Sequence, residues 1–117
     1  MLCHGSFDQS DRYIYPDENK NNICDIKDVD FIFNGHTHYP MFYKGQYSTL
    51  INVGSVGQSR TVGGIANWGV FNTNNGVFSP QNTLYDINEV ILNLKKNKVT
   101  NQYLFNILKR NNINYEL

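Results

Sequence analysis

The chain has 117 residues with ten lysines and arginines against ten aspartates and glutamates, a formal net charge of zero, so no global field draws it to nucleic acid or to an anionic membrane. With 40% hydrophobic and 14% aromatic residues, it has the composition of one folded domain or part of one, and not that of a disordered tail. Two cysteines, Cys3 and Cys24, are too few for a disulfide framework, and no apolar run approaches the roughly 20 residues that a membrane helix needs.

In chain order, Met1 to His4 reads as the last stub of a buried strand. Residues 5–22 are polar and carry Pro16 within a charged, asparagine-rich stretch, which predicts a long loop, and long loops inside compact domains are often functional. Ile23 to Val29 is expected as one short helix. The continuous apolar run Phe31-Ile32-Phe33 suits a strand buried on both faces, ended by Gly35. Met41 to Tyr43 and Tyr47 to Val53 follow as β segments around a hairpin turn at Lys44-Gly45-Gln46. Ile65 to Thr73 and Val77 to Ser79 flank Asn74-Asn75-Gly76, whose Asn-Gly pair predicts a tight type I′ hairpin.

From Asp86 the period changes. Asp86-Ile87-Asn88-Glu89 resembles a capping box, with Val90, Ile91 and Leu94 on one face behind it. Tyr103, Leu104, Ile107 and Leu108 repeat that spacing in a second helix, ended by Lys109 and Arg110, cations that suit a helix C-terminus. No internal repeat or linker splits the chain, so residues 1–117 are expected as a single, partial domain whose C-terminal helical segment is 86–117. The fold class expected is α/β, mostly antiparallel strands followed by two helices. No signal peptide is read at the N-terminus, and a cytoplasmic location is expected.

Three histidines stand where chemistry can be placed. His4 follows the strand stub, and His36 and His38 follow the buried strand in Gly35-His36-Thr37-His38. Residues two apart in an extended segment point to the same side, so the imidazoles of His36 and His38 can converge, and ends of core strands are where open α/β sheets place their ligands. A lone histidine is more often a hydrogen-bonded structural residue than a ligand. Spacing alone leaves both readings open. Seven of the ten carboxylates lie in the first thirty residues (Asp8, Asp11, Asp17, Glu18, Asp25, Asp28 and Asp30), and none occurs again until Asp86.

Leu2-Cys3-His4-Gly5, then Gly35-His36-Thr37-His38, then Asn52-Val53-Gly54-Ser55 running on to Arg60 resemble, in order and spacing, three successive motifs of the calcineurin-like metallophosphoesterases, small phosphodiesterase and phosphatase type. The resemblance implies the C-terminal part of a two-sheet sandwich. It implies His4 and His36 as ligands of one metal and His38 as a ligand of its neighbour. Imidazoles suit divalent transition metals such as Mn, Zn, Fe, Ni or Co, and a pair of ions roughly 3.5–4 Å apart suits hydrolysis of a phosphate ester. Arg60 is placed to meet a substrate phosphate, although an arginine after a polar loop is more often solvated or structural. Val53 stands where that family usually has proline, so the turn is less rigidly preset.

The same resemblance marks what is absent. The Asp-x-His, Gly-Asp and Gly-Asn-His-Asp/Glu motifs of the family do not occur here. Three imidazoles cannot fill two coordination shells, and without a bridging carboxylate nothing holds two cations against their repulsion. The expectations are at most about one ion per chain and no turnover by the chain alone. A complementary N-terminal half or a homo-oligomer is expected as partner, and no membrane or nucleic acid. The chain reads as a fragment or split-enzyme subunit, with a degenerate interaction or regulatory module as the alternative.

Overall fold

Among the described residues the apolar alternations resolve into five strands and two helices: β1 (Phe31–Asn34), β2 (Pro40–Lys44), β3 (Thr49–Val53), β4 (Ile65–Asn72), β5 (Val77–Leu84), α1 (Ile87–Lys96) and α2 (Gln102–Leu108). The structure is a computed structural model and describes residues 1–20 and 23–111; the last two positions of the predicted 5–22 loop and residues 112–117 of the C-terminal segment lie outside the described residues. One sheet has the order β1-β3-β2 and the other pairs β4 with β5. The architecture is the predicted α/β one, two sheets of mostly antiparallel strands followed by two helices. Contacts divide the chain into two units, Met1–Gly54 and the residues from Ser55 on.

In the first unit β3 is the central strand, parallel to β1 and antiparallel to β2. Burial on both faces therefore falls on β3, where Leu50, Ile51 and Asn52 are all buried, and not on the Phe31-Ile32-Phe33 run. In β1 Ile32 and Asn34 are buried, and Phe31 and Phe33 are only half-buried. Leu2 bridges Phe33 in parallel on the other side of β1, held by Cys3 N–H to the Phe33 carbonyl (3.0 Å) and Phe33 N–H to the Met1 carbonyl (3.0 Å). The core beneath gathers Ile14, Cys24, Ile32, Met41 and Leu50. The predicted long loop is thus anchored at its middle by Ile14.

The helix expected over Ile23 to Val29 is not formed; the segment is a series of turns. A helix of seven residues depends on its surroundings, as α2 does, and here tertiary partners take the backbone groups that a helix would use. The Ser48 hydroxyl accepts from Ile26 N–H (2.8 Å) and donates to the Ile26 carbonyl (2.7 Å), and Asp28 adopts a left-handed φ of 67°. The Asp25 carboxylate accepts from the backbone N–H groups of Gln46, Tyr47 and Ser48 at 2.7–2.8 Å. It thereby clamps the β2–β3 connection, which spans residues 45–48.

In the second unit β4 and β5 pair over their full length, from Ile65 opposite Leu84 to Asn72 opposite Val77. The predicted two-residue turn is instead a four-residue loop, 73–76, in which Gly76 alone is left-handed (φ 69°). The Asn72 and Asn75 side chains accept from the N–H groups of Asn74 and Val77, local turns that satisfy the backbone without a type I′ geometry. Asp86 caps α1 by accepting from Asn88 N–H (2.8 Å), and Lys95 and Lys96 sit at its negative end. Asn101 caps α2 in the same way through Tyr103 N–H. The chain after α2 is tied to residues 59–63 by the Arg110 guanidinium on the Ser59 carbonyl (3.0 Å) and Gly63 N–H on the Arg110 carbonyl (2.8 Å). Among the described residues no helix is long and apolar enough to cross a membrane.

Candidate metal centre

Parallel pairing carries two distant histidines to one place. The segment Met1 to His4 and strand β1 run in the same direction, so both end at the same side of the sheet, and Gly35 N–H donates to the His4 carbonyl (2.9 Å). The rings of His4 and His36 consequently lie with centroids 4.5 Å apart and planes inclined by 57°. Carboxyl ends of parallel strands are the usual ligand-binding edge of α/β sheets, and β3, also parallel to β1, ends beside them at Asn52 and Val53.

The ring of His36 is fixed from two sides. Tyr13 lies against it at 3.9 Å, and its Nε2 is 3.0 Å from the Asp11 carbonyl. A carbonyl oxygen only accepts, so Nε2 carries the proton and donates, leaving Nδ1 as the lone-pair atom. An imidazole held through one nitrogen by a backbone carbonyl is the usual arrangement around a metal-ligating histidine. The loop that supplies Asp11 and Tyr13 can approach only because Gly5 has no side chain: a Cβ there would sit 2.5 Å from the Arg12 carbonyl oxygen and 2.6 Å from that of Ser10. The loop is stitched further by the Ser6 hydroxyl, which donates to Asp8 Oδ1 (2.6 Å) and accepts from Gln9 N–H (3.1 Å). That bond holds the Asp8 carboxyl below its ordinary pKa.

Gly35 to His38 is a turn, not an extended segment, since His36 and His38 both have left-handed φ values of 62° and 61°. The alternation of an extended chain therefore does not govern these two rings. His38 is half-buried beyond the fully buried Thr37, and among the described residues no three His, Cys, Asp or Glu side chains group closely enough to hold a metal ion. The pair is His4 with His36. Arg60 belongs to the second unit, half-buried between Ser59 and Thr61, whose hydroxyls lie 3.1 Å apart. Cys3 packs against the core, its Sγ toward the carbonyls of Gly5 (3.4 Å) and Phe33 (3.7 Å), and burial raises its thiol pKa.

Two asparagines that sequence reasoning did not assign to the site support it. Asn52, 2% exposed, donates from Nδ2 to the Gly35 carbonyl (2.8 Å) and to Thr37 Oγ1 (3.1 Å), and accepts at Oδ1 from Gly54 N–H (2.9 Å). It is the strut that holds the histidine turn against the end of β3. Asn34 ends β1, and its Nδ2 reaches the Gly5 carbonyl at 3.4 Å. Its Oδ1 is buried and has no hydrogen-bond partner among the described residues. The signal in the sequence for Asn34 is an amide at the end of an apolar run, and for Asn52 also its place at the head of the Asn52-Val53-Gly54-Ser55 motif.

No protein-family model matches the chain, and no curated protein matches it. Among solved structures it is similar to the crystal structure of a hypothetical protein from Pyrococcus horikoshii OT3, with 16% sequence identity and a TM-score of 0.75, over 93% of this chain and 45% of that one. The chain thus spans less than half the length of that protein, and the likeness at this identity is one of fold: α/β, with two sheets of mostly antiparallel strands followed by two helices.

Proposed function

We propose that the chain is the histidine-bearing part of a metal-dependent phosphoesterase, with His4 and His36 as two ligands of one divalent transition metal and His38 directed to a second ion. The observation that carries this reading is the His4–His36 pair at 4.5 Å, together with the tautomer imposed on His36 by the Asp11 carbonyl. The donor set fits part of one site: two imidazoles of borderline softness, with the unpartnered Asn34 Oδ1 as a buried oxygen at the end of the adjoining strand. The remaining donors, carboxylates by the chemistry of such centres, come in this reading from a complementary segment or a second copy. A divalent ion held there would stabilise negative charge developing on a phosphoryl group. The chain's own residues orient that ion. The Asp11 carbonyl holds Nε2–H of His36 and so selects the neutral tautomer with its lone pair on Nδ1, Tyr13 lies against one face of the ring, and Asn52 fixes the turn.

Dialysis of the purified chain against manganese or zinc, followed by metal analysis, tests the reading. The expected result is about one ion per chain or less, lost in both His4→Ala and His36→Ala. Uptake unchanged in both variants would place any metal elsewhere and overturn the assignment. Turnover of a chromogenic phosphodiester is expected only after a complementary ligand-bearing chain is supplied.

A further inference from the structure

The imidazole pair does not stand alone but ends a run of aromatic rings. Ile14 is 1% exposed and belongs to the core, whereas its neighbours Tyr13 and Tyr15 are each 42% exposed. With Ile14 pulled inward, both tyrosines face outward on one side, their rings 12° from parallel with centroids 5.9 Å apart. Tyr15 also meets the ring of Tyr39 edge-on, at 6.1 Å and 63°, and its backbone N–H is held by the Glu18 carboxylate. Tyr13 in turn lies 3.9 Å from His36, and His36 lies 4.5 Å from His4. Five rings therefore follow one another from Tyr39 through Tyr15, Tyr13 and His36 to His4.

We propose that Tyr13 and Tyr15 form a stacking wall for a nucleobase, and that the phosphate ester taken by this site is a mononucleotide, its base on the tyrosines and its phosphate toward His4 and His36. The phosphate half of the proposal rests on the phosphoesterase reading above; the base half rests on the ring geometry. Tyrosine faces are flat and polarisable, and stacking of a base on such a face contributes about 1–3 kcal/mol. The two ring steps from Tyr15 to His36, 5.9 and 3.9 Å, are of the scale that separates base from phosphate within one nucleotide. A longer strand is disfavoured because the loop that carries the wall is acidic, with Asp8, Asp11, Asp17 and Glu18, and the chain has no net positive charge to follow a polyanion.

The test compares adenosine, ribose 5-phosphate and adenosine 5′-monophosphate as probes, by calorimetry on the intact chain with and without manganese. Adenosine and its monophosphate should both bind, and Tyr15→Ala should weaken both about tenfold or more, the scale of one base–aromatic stack. Tyr15→Phe should retain the affinity, and because Tyr15 is on the surface both variants should melt as the parent chain does. Adenosine binding that is absent, or unchanged in Tyr15→Ala, overturns the proposal. A single-stranded oligonucleotide that binds more tightly per base than the monophosphate overturns its mononucleotide part. Ribose 5-phosphate isolates the other premise: adenosine bound normally while ribose 5-phosphate ignores manganese refutes the metal-phosphate reading and leaves the stacking wall standing.

Discussion

Replacing Asn52 by alanine should loosen the histidine turn more than any change to a histidine itself. The side chain is 2% exposed and makes three hydrogen bonds, to the Gly35 carbonyl, Thr37 Oγ1 and Gly54 N–H. Not all three partners are orphaned by its removal. The Gly35 carbonyl keeps the Thr37 N–H (2.7 Å), and Thr37 Oγ1 keeps its contact with the Gly35 carbonyl (3.4 Å). Gly54 N–H loses the amide oxygen that holds it. One donor stranded and two bonds lost, in a site that also loses buried volume, corresponds to about 3 kcal/mol. At about 4 °C per kcal/mol for a chain of this size, Tm should fall by about 12 °C. Asn52→Asp should do no better at neutral pH, because it retains the acceptor for Gly54 but turns a buried carboxylate toward the Gly35 carbonyl. Thermal melts followed by circular dichroism measure the loss, and imidazole NMR of His36 reports whether its ring has left Tyr13. An Asn52→Ala variant that melts within about 2 °C of the parent, or about 0.5 kcal/mol, with His36 resonances unmoved, would falsify the strut.

Two further outcomes follow from buried or clamped groups. Asp25 accepts three backbone N–H groups, and these bonds, that of Ser48 foremost, hold its carboxyl below the ordinary 3.8. A depressed carboxyl stabilises the fold above its unfolded pKa and loses that contribution as pH falls through the folded value. The Tm difference between the parent and Asp25→Asn should therefore be widest at neutral pH and shrink below about pH 4, and a difference independent of pH refutes the clamp. Cys24 is 1% exposed, and burial first, then the neighbouring Glu18 charge, pushes its thiol from 9.0 up to about 11. Its stabilising contribution is complete below pH 9.0 and declines as pH rises toward 11. Native Cys24 should resist iodoacetamide at pH 8, and Cys24→Ala should flatten the alkaline fall in Tm. Rapid native alkylation of Cys24 would show that the core is open there.

What the sequence determined by itself is local. The apolar runs placed the strands near residues 31–34, 40–44, 49–53 and 65–72 and the start of β5 at 77–79, though not its continuation to Leu84, and Asp86, with an apolar face repeating behind it, marked α1 at Ile87–Lys96. These signals are read from neighbours a few positions apart, which is the range over which caps, alternation and helical periodicity act. Ile23 to Val29 shows where that range ends: its apolar spacing suits a helix, but Ser48 and the β2–β3 connection claim its backbone and the Asp25 side chain, and no feature within the segment announces them. The burial of β3 on both faces was equally out of reach, since it depends on which strand is central and not on which is most apolar. The three histidines and their strand-end positions were visible from the residues. Their arrangement was not: the closeness of His4 to His36 is set by parallel pairing across β1, the tautomer of His36 by a carbonyl from a loop that Gly5 admits, and the turn by an amide from β3. Each is a contact between segments distant in sequence, which the chain gains only when hydrophobic burial has brought those segments together, so only the tertiary structure decides it.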